Sequence, residues 1–191
     1  MAQVKILAFS GSGRKGSFNQ KLVQVAAQGA RESGATVEVL NLGEYGLPIF
    51  DEDLERDQGI PQAVHDLKKL FIESHGLLIA SPEYNSSLTA LLKNTIDWIT
   101  RPVEGETPLQ AFDGKVAGLM ATSPGSLGGL RGLVHLRAIL QNIQVTVIPD
   151  QLMIPQAHEA FDESGNLKDG TQQAAIKGIG AKVASVAGKL N

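Results

Sequence analysis

The sequence predicts an α/β protein built on a doubly wound, five-stranded parallel sheet. Strand-like and helix-like segments alternate along the chain, which is the pattern of a parallel sheet with helices on both faces. Residues 76–81 form a continuously apolar run, as expected of a central strand buried on both sides. Unusual loops rich in glycine, serine or proline follow several strands. For five strands the common order is 2-1-3-4-5.

Each element has its own signal. The five strands are predicted over residues 4–9, 36–40, 76–81, 115–122 and 145–148. Five helices are marked by apolar residues three or four positions apart, at residues 18–33, from 61 onward, 88–99, 130–142 and about 176–190. Gly34 ends the first helix, Pro61 starts the second and Pro102 stops the third. Residues 41–60 are predicted to be irregular, with the acidic run 51–55 as a solvated loop.

Length and composition limit the class of protein. A chain of 191 residues with 42% hydrophobic residues predicts one domain, residues 1–191, with a substantial core. The net charge of −3 argues against a nucleic-acid partner, and it is weak for a dedicated electron carrier, which commonly steers partners with a strong acidic field. The absence of cysteine excludes thiolate catalysis and Cys-ligated metals. We recognise neither a signal peptide nor an apolar run of membrane-spanning length, so we expect a cytoplasmic protein with no membrane partner.

The loop at residues 10–19 is predicted to bind an anion. It joins the first strand to the first helix, where backbone N–H groups converge and the helix dipole favours negative charge. Gly11, Gly13 and Gly16 match the dinucleotide fingerprint, but the second strand ends in 40–42 without the carboxylate that binds ribose. The spacing of Gly11 and Gly16 also suits a phosphate-binding P-loop, but the required lysine before Ser17 is missing.

The side chains of this loop favour a terminal monophosphate such as that of flavin mononucleotide (FMN). Hydroxyl, amide and cationic donors are concentrated there, at Ser10, Ser12, Arg14, Lys15, Ser17 and Asn19. A terminal phosphate carries nearly two charges and three acceptor oxygens, so it rewards extra donors more than a pyrophosphate does. The simpler interpretation is that Ser17 only caps the helix, with Gln20 completing a capping box.

Topology brings the unusual loops together. In the order 2-1-3-4-5 the switch point lies between strands 1 and 3, and ligands bind outside the carboxyl ends of the strands there. The loops at that crevice follow strands 1, 3 and 4, and they are residues 10–19, 82–87 and 123–129. This coincidence predicts an FMN site.

These motifs resemble those of the NADPH-dependent FMN reductase family, flavodoxin-like enzymes that include quinone, azo-dye and chromate reductases. The hallmark Gly-Ser-x-Arg-x-x-Ser-x-Asn matches residues 11–19, Pro-Glu-Tyr-Asn matches 82–85, and Leu-Lys-Asn-x-Ile-Asp-Trp matches 92–98. The segment 47–54 looks like a further family loop, and the similarity covers most of residues 3–145. Two places depart from the family: Gly13 replaces a bulkier residue, and 87–90 replace a stretch that usually contains Pro and Gly.

The resemblance implies a flavodoxin-like fold, a first loop that holds the FMN phosphate, and loops 82–85 and 123–129 around the flavin ring. It also implies ping-pong hydride transfer from NADPH or NADH through FMN to a small-molecule acceptor, and a homodimer or homotetramer. No side chain has to act as acid, base or nucleophile, because the cofactor carries the hydride chemistry. The residues predicted to contact the cofactor are Ser10, Ser12, Arg14, Ser17, Phe18, Asn19, Pro82, Glu83, Tyr84, Asn85, Ser123 and Gly125.

Several residues have two interpretations. Tyr84 is expected near the flavin rather than as turn packing, and Glu83 is expected to act mainly through its backbone. Arg101 lies beyond a helix of roughly 18 Å, so it is either structural or acts across an interface. The four histidines show no metal-ligand spacing. The alternatives to an enzyme are a flavodoxin-type electron carrier and a phosphate-binding regulatory domain without flavin.

Overall fold

A computed structural model of the chain describes residues 3–190. Its sheet has five parallel strands in the order β2-β1-β3-β4-β5, so the predicted topology is confirmed. The strands are β1 (Lys5–Ser10), β2 (Thr36–Asn41), β3 (Gly76–Ala80), β4 (Val116–Thr122) and β5 (Thr146–Ile154). Every residue of β3 and β4 is buried, which agrees with their continuously apolar sequences.

Helices cover both faces of the sheet. They are α1 (Phe18–Glu32), α2 (Glu52–Gln58), α3 (Gln62–Glu73), α4 (Ala90–Ile99), α5 (Leu130–Asn142), α6 (Ala157–Ala160) and α7 (Gly170–Leu190), with a 3-10 turn at Leu42–Tyr45. Alternate residues of the central strands supply two cores. Leu7 and Ile79 pack with α3, α4 and α5, whereas Ile6 and Leu78 pack with α1 and α7.

The acidic run at residues 51–55 was predicted to be a solvated loop, but it forms the N-cap and first turns of helix α2. The Asp51 carboxylate caps α2 by accepting from the N–H groups of Asp53 and Leu54 at 2.7 and 3.2 Å. Glu55 of α2 then forms a bidentate pair with Arg101, with N–O distances of 2.8 and 3.0 Å. The run therefore belongs to a helix that is tied back to the protein, and Arg101 forms this ion pair within its own chain.

The last strand is also longer than predicted. β5 continues to Ile154, past the predicted end at residue 148. Its pairing with β4 shifts register between Ala117 and Leu119, so the strand runs on through Pro149 and the polar residues 150–151. An irregular pairing of this kind interrupts the apolar pattern by which a strand is recognised. The extension carries β5 as far as the carboxyl end of β4, beside the predicted site.

Among residues 3–190, no helix is long and apolar enough to cross a membrane. The same part of the chain brings together no group of three His, Asp or Glu side chains that could hold a metal ion.

Candidate active site

A cavity of about 220 Å³ opens at the carboxyl edge of the sheet, between the loops that follow β1, β3 and β4. It lies at the topological switch point between β1 and β3, where the sequence predicted a ligand. Nine of the twelve predicted residues line it: Ser12, Arg14, Ser17, Phe18, Asn19, Pro82, Glu83, Tyr84 and Ser123. Three segments distant in sequence therefore form one site.

The N-terminus of α1 faces this cavity. Ser17 is 3% exposed, and its hydroxyl accepts a hydrogen bond from Gln20 N at 3.3 Å, so it caps α1 as predicted. The capping box does not form, because the Gln20 amide instead donates to Leu40 O at 3.4 Å and Ser17 N donates to Arg14 O. The first N–H groups of the helix, at Phe18 and Asn19, have no intrahelical acceptor and lie beside the cavity.

Serine hydroxyls shape the turn before the helix. Ser10 Oγ accepts from Ser12 N at 3.0 Å, and Ser12 Oγ accepts from Arg14 N at 3.4 Å. Ser10 is 1% exposed and is not among the residues that line the cavity, so it supports the loop from beneath. Ser12 and Ser17 do line the cavity, and a hydroxyl that accepts one bond can still donate another to a ligand.

Positive charge lies on one side of the opening. The guanidinium of Arg14 is exposed and packs 5.7 Å from the centre of the Phe18 ring. Phe18 in turn stacks on Phe161, with ring centres 5.8 Å apart. This packing holds a cation next to the N-terminus of α1, where an anion is already favoured.

Asn19 is committed to the protein itself. Its amide donates to Thr122 O at 2.8 Å and accepts from Thr122 N at 3.0 Å, in an interior position. This pair ties the first helix to the end of β4, 103 residues later. Sequence reasoning missed Thr122 and Pro124, which also line the cavity. Their only signal was position, at the carboxyl end of a strand and in the loop after it.

Contacts with neighbouring segments account for Gly13 and for Thr89, which lie at the two departures from the family pattern. The Thr89 hydroxyl donates to Gly11 O at 2.6 Å and accepts from Leu92 N, so it caps α4 and also fixes the first loop. At Gly13, a Cβ would lie 3.3 Å from the Cα of Gly43 in the 3-10 turn. The first loop therefore packs on two neighbouring segments through small groups.

The second loop turns sharply at Tyr84–Ser87. Tyr84 and Ser87 exchange backbone hydrogen bonds of 2.9 and 3.0 Å across the turn. Asn85 and Ser86 have φ values of 49° and 67°, the pattern of a type I′ turn. Asn85 lines a neighbouring, mostly apolar cleft of about 720 Å³ rather than the cavity, whereas Tyr84 borders both. Gly125, in the third loop, lines neither of them.

The Glu83 side chain binds the start of α5, while its expected role toward the flavin through the backbone stays a prediction. Its carboxylate accepts from the N–H groups of Arg131 and Gly132 at 2.9 and 3.3 Å and from Arg131 Nε at 2.7 Å. Burial raises the pKa of Glu83, but these hydrogen bonds and the Arg131 charge outweigh it, and the net pKa is lowered. An ionised carboxylate paired with a guanidinium therefore borders the cavity.

The donor set fits FMN. A dianionic phosphate matches the serine hydroxyls, the free helix N–H groups and the Arg14 cation at one end of the cavity. The exposed Tyr84 ring and Pro82, which also line the cavity, offer surfaces for an aromatic ring system. The cavity thus combines donors for a phosphate with an exposed aromatic surface for a flavin ring.

Comparisons with known proteins identify the family of this chain. The family model for NADPH-dependent FMN reductase matches residues 4–159. An NAD(P)H-dependent FMN reductase of Pseudomonas aeruginosa is 37% identical over 87% of this chain and 85% of its own length. A quinone reductase of Escherichia coli is 34% identical over 76% of this chain and 74% of its own.

A solved structure gives the same result. FerB, a flavoenzyme NAD(P)H:(acceptor) oxidoreductase from Paracoccus denitrificans, superimposes with a TM-score of 0.81 at 30% identity, covering 97% of this chain and 98% of its own. The resemblance read from the three motifs is confirmed, and with it the flavodoxin-like fold and an oxidoreductase that uses FMN and NAD(P)H. The chain therefore belongs to the NADPH-dependent FMN reductase family.

Proposed function

We propose that this protein oxidises NADPH or NADH by a ping-pong mechanism and passes the electrons through FMN to a quinone. The same proposal includes free flavin, an azo compound or a metal ion as other electron acceptors. The observation that carries it is the assembly of three loops into one cavity, lined by phosphate donors and by the exposed Tyr84 ring.

The residues of the chain bind and orient rather than react. Ser12, Ser17 and Arg14 are proposed to bind the phosphate, and Asn19 holds α1 against β4 so that these donors stay in place. Pro82 and Tyr84 are proposed to border the flavin ring. When bound there, FMN supplies the capacity to accept a hydride and to release two electrons.

The apolar cleft beside Tyr84 supports a flat, uncharged acceptor. It has a volume of about 720 Å³, and Leu88, Ala90, Ala138 and Ile139 supply much of its apolar surface. Burial of an apolar ring is worth about 25 cal/mol per Å² of surface removed from water. A quinone therefore gains more there than a charged acceptor of the same size.

We further propose that residues 1–191 form one FMN-binding domain that assembles as a homodimer or homotetramer with the flavin close to the interface. Tyr84 and Val134 are each 58% exposed and lie on the two segments that flank the apolar cleft, where a second copy of the chain would cover them. Light scattering measures the assembly, and a monomer with full activity at working dilution contradicts this part. The cytoplasmic location stays a prediction.

The test is steady-state oxidation of NADPH by purified protein reconstituted with FMN, with a soluble benzoquinone as acceptor. We expect catalytic turnover and parallel double-reciprocal plots, which indicate a ping-pong mechanism. Protein that binds FMN and exchanges electrons with reduced carriers, but oxidises no NAD(P)H in the presence of quinone, is instead a flavodoxin-type carrier. Protein that takes up no FMN but binds inorganic phosphate is instead a phosphate-binding module without flavin.

A further inference from the structure

The loop that contains Pro82, Glu83 and Tyr84 is strained and needs an external support. Asn85 and Ser86 both have left-handed backbone conformations without being glycine. Such conformations cost on the order of 1 kcal/mol each, so they persist only where neighbouring structure holds them. The exchange of backbone hydrogen bonds between Tyr84 and Ser87 is internal to the turn and cannot orient it relative to the cavity.

Helix α5 supplies the support at three points. The Glu83 carboxylate binds the N–H groups at the start of α5. A Cβ on Gly132 would lie 3.0 Å from Ser87 O, so the helix backbone touches the turn directly. One turn further along, His135 Nδ1 and Ser87 Oγ are joined by a hydrogen bond of 2.9 Å.

Glu83 also replaces a missing cap. Gly129, the N-cap residue of α5, has no side chain, and no side-chain hydrogen bond caps this end from within its own loop. The first N–H groups of a helix need acceptors and favour negative charge. Glu83, 48 residues earlier in the chain, provides both.

The position of the Glu83 carboxylate places a negative charge beside the cavity. Glu83 lines the cavity and its side chain is only 8% exposed, so water screens its charge poorly. The reduced form of flavin is an anion at neutral pH. An unpaired carboxylate at the same cavity would oppose reduction of FMN.

Arg131 neutralises this negative charge by forming an ion pair with Glu83. Its Nε donates to Glu83 Oε1 at 2.7 Å, and its Nη2 contacts the same oxygen. The guanidinium is itself 56% exposed, so it faces water on its outer side. The pair presents no net charge to the cavity while Glu83 keeps its hold on α5.

We propose that Glu83 and Arg131 are positioning residues with two linked roles: Glu83 fixes the flavin-facing loop to α5, and Arg131 neutralises Glu83 and so sets the reduction potential of bound FMN. This inference rests on the proposed function, because it requires FMN in this cavity.

The test is the two-electron midpoint potential of FMN-loaded protein, measured for wild type, Arg131→Met, Glu83→Gln and the double variant. Arg131→Met leaves a bare, poorly screened carboxylate. We expect it to weaken binding of reduced FMN relative to oxidised FMN about tenfold, which lowers the potential by about 30 mV. Glu83→Gln leaves the Arg131 charge unbalanced and shifts the potential upward, by less, because that charge is better exposed to water.

Opposite shifts in the single variants, and a wild-type potential in the double variant, are the signature of charge pairing. A purely structural role would move both single variants in the same direction, and the double variant would shift about as far as a single one, because each change breaks the same contact. Arg131→Lys keeps the positive charge and is expected to keep the wild-type potential. Arg137→Met is the matched control, because Arg137 lies on α5 but binds the carbonyls of Val147 and Ile148 instead of Glu83.

Two outcomes overturn the inference. An unchanged potential in Arg131→Met, in protein that binds FMN and oxidises NAD(P)H, overturns this inference and leaves the proposed function intact. Wild-type protein that takes up no FMN overturns both. Thermal melting of each variant without FMN checks that the variant is folded. If Arg131→Met does not fold, the upward shift of the potential in Glu83→Gln provides the test.

Discussion

Ser17 shows at the scale of one residue how a structural role and a binding role coincide. Its buried hydroxyl caps α1 and also lines the cavity. Capping uses the oxygen as an acceptor, whereas phosphate binding uses the hydroxyl as a donor. The two roles can therefore be separated by a side chain that accepts but cannot donate.

Ser17→Asp is that side chain. A carboxylate is a good N-cap beside the helix dipole, so we expect the unfolding free energy of the FMN-free protein to stay close to wild type. Ser17→Ala removes the cap, so its unfolding free energy should be about 1 kcal/mol lower than that of wild type. FMN affinity should fall about tenfold in Ser17→Ala and a hundredfold or more in Ser17→Asp, where a carboxylate faces the phosphate. Ser17→Asp protein that binds FMN as tightly as wild type would reduce this loop to a helix cap.

Residue types in short motifs predicted much of the candidate site, because the backbone of a strand, loop and helix is local. The motifs could not give the long-range partners. Asn19 was predicted to contact the cofactor, and nothing near it in the sequence showed that its amide pairs with Thr122, 103 residues away. The sequence likewise did not show that the Glu83 carboxylate caps a helix that begins 47 residues later. Such pairs depend on which strand ends are neighbours, which spacing in the sequence does not show.

Helices α1 and α7 illustrate the scale of whole elements, because they pack backbone against backbone. A Cβ at Gly180 would lie 1.9 Å from Ala26 O, and a Cβ at Gly29 would lie 2.1 Å from Lys177 O. In both cases the atom that the added Cβ would meet belongs to the backbone and not to a flexible side chain. The clash could therefore be removed only if the two helices moved apart. Periodicity predicted both helices, but it could not show that glycine sets their separation.

Gly180→Ala is expected to destabilise the protein by about 3 kcal/mol or more, since overpacking against backbone cannot be absorbed by a rotamer change. Gly178→Ala is the matched control on the same helix, with no atom within 4 Å of the added Cβ. It should stabilise the protein by about 1 kcal/mol through helix propensity. Urea unfolding of both variants measures the difference. Equal effects would mean that α7 does not lie against α1 in this way.

At the scale of the whole molecule, alternation of elements was enough to predict the sheet order. Parallel strands buried on both faces leave few arrangements once crossovers are right-handed. The parts that sequence missed lie at the periphery. Helix α2 is almost entirely polar, and its capping by Asp51 and its tie to Arg101 replace an apolar face. β5 gains its second half from an irregular pairing.

Lys115 lies at the opposite end of β4 from the cavity and makes the stability of the whole molecule depend on pH. It is 4% exposed, its ammonium donates to Ser74 O, and burial lowers its pKa to about 8. In the unfolded chain a lysine has a pKa of about 10.4. Below pH 8 both states hold the proton and folding buries the charge. Between pH 8 and about 10.4 the unfolded state binds more protons, so stability rises with pH.

We therefore compare wild type with Lys115→Met, in which this titration is absent. The unfolding free energy of wild type, relative to that variant, should increase by about 2 kcal/mol between pH 7 and pH 10. Other lysines titrate in both proteins and cancel in the difference. Lys69→Met, at an exposed position of α3, controls for the substitution itself. Urea unfolding at several pH values measures both. A flat difference for Lys115→Met would show that its ammonium stays charged in the folded protein up to pH 10, because its bond to the Ser74 carbonyl offsets the cost of burial.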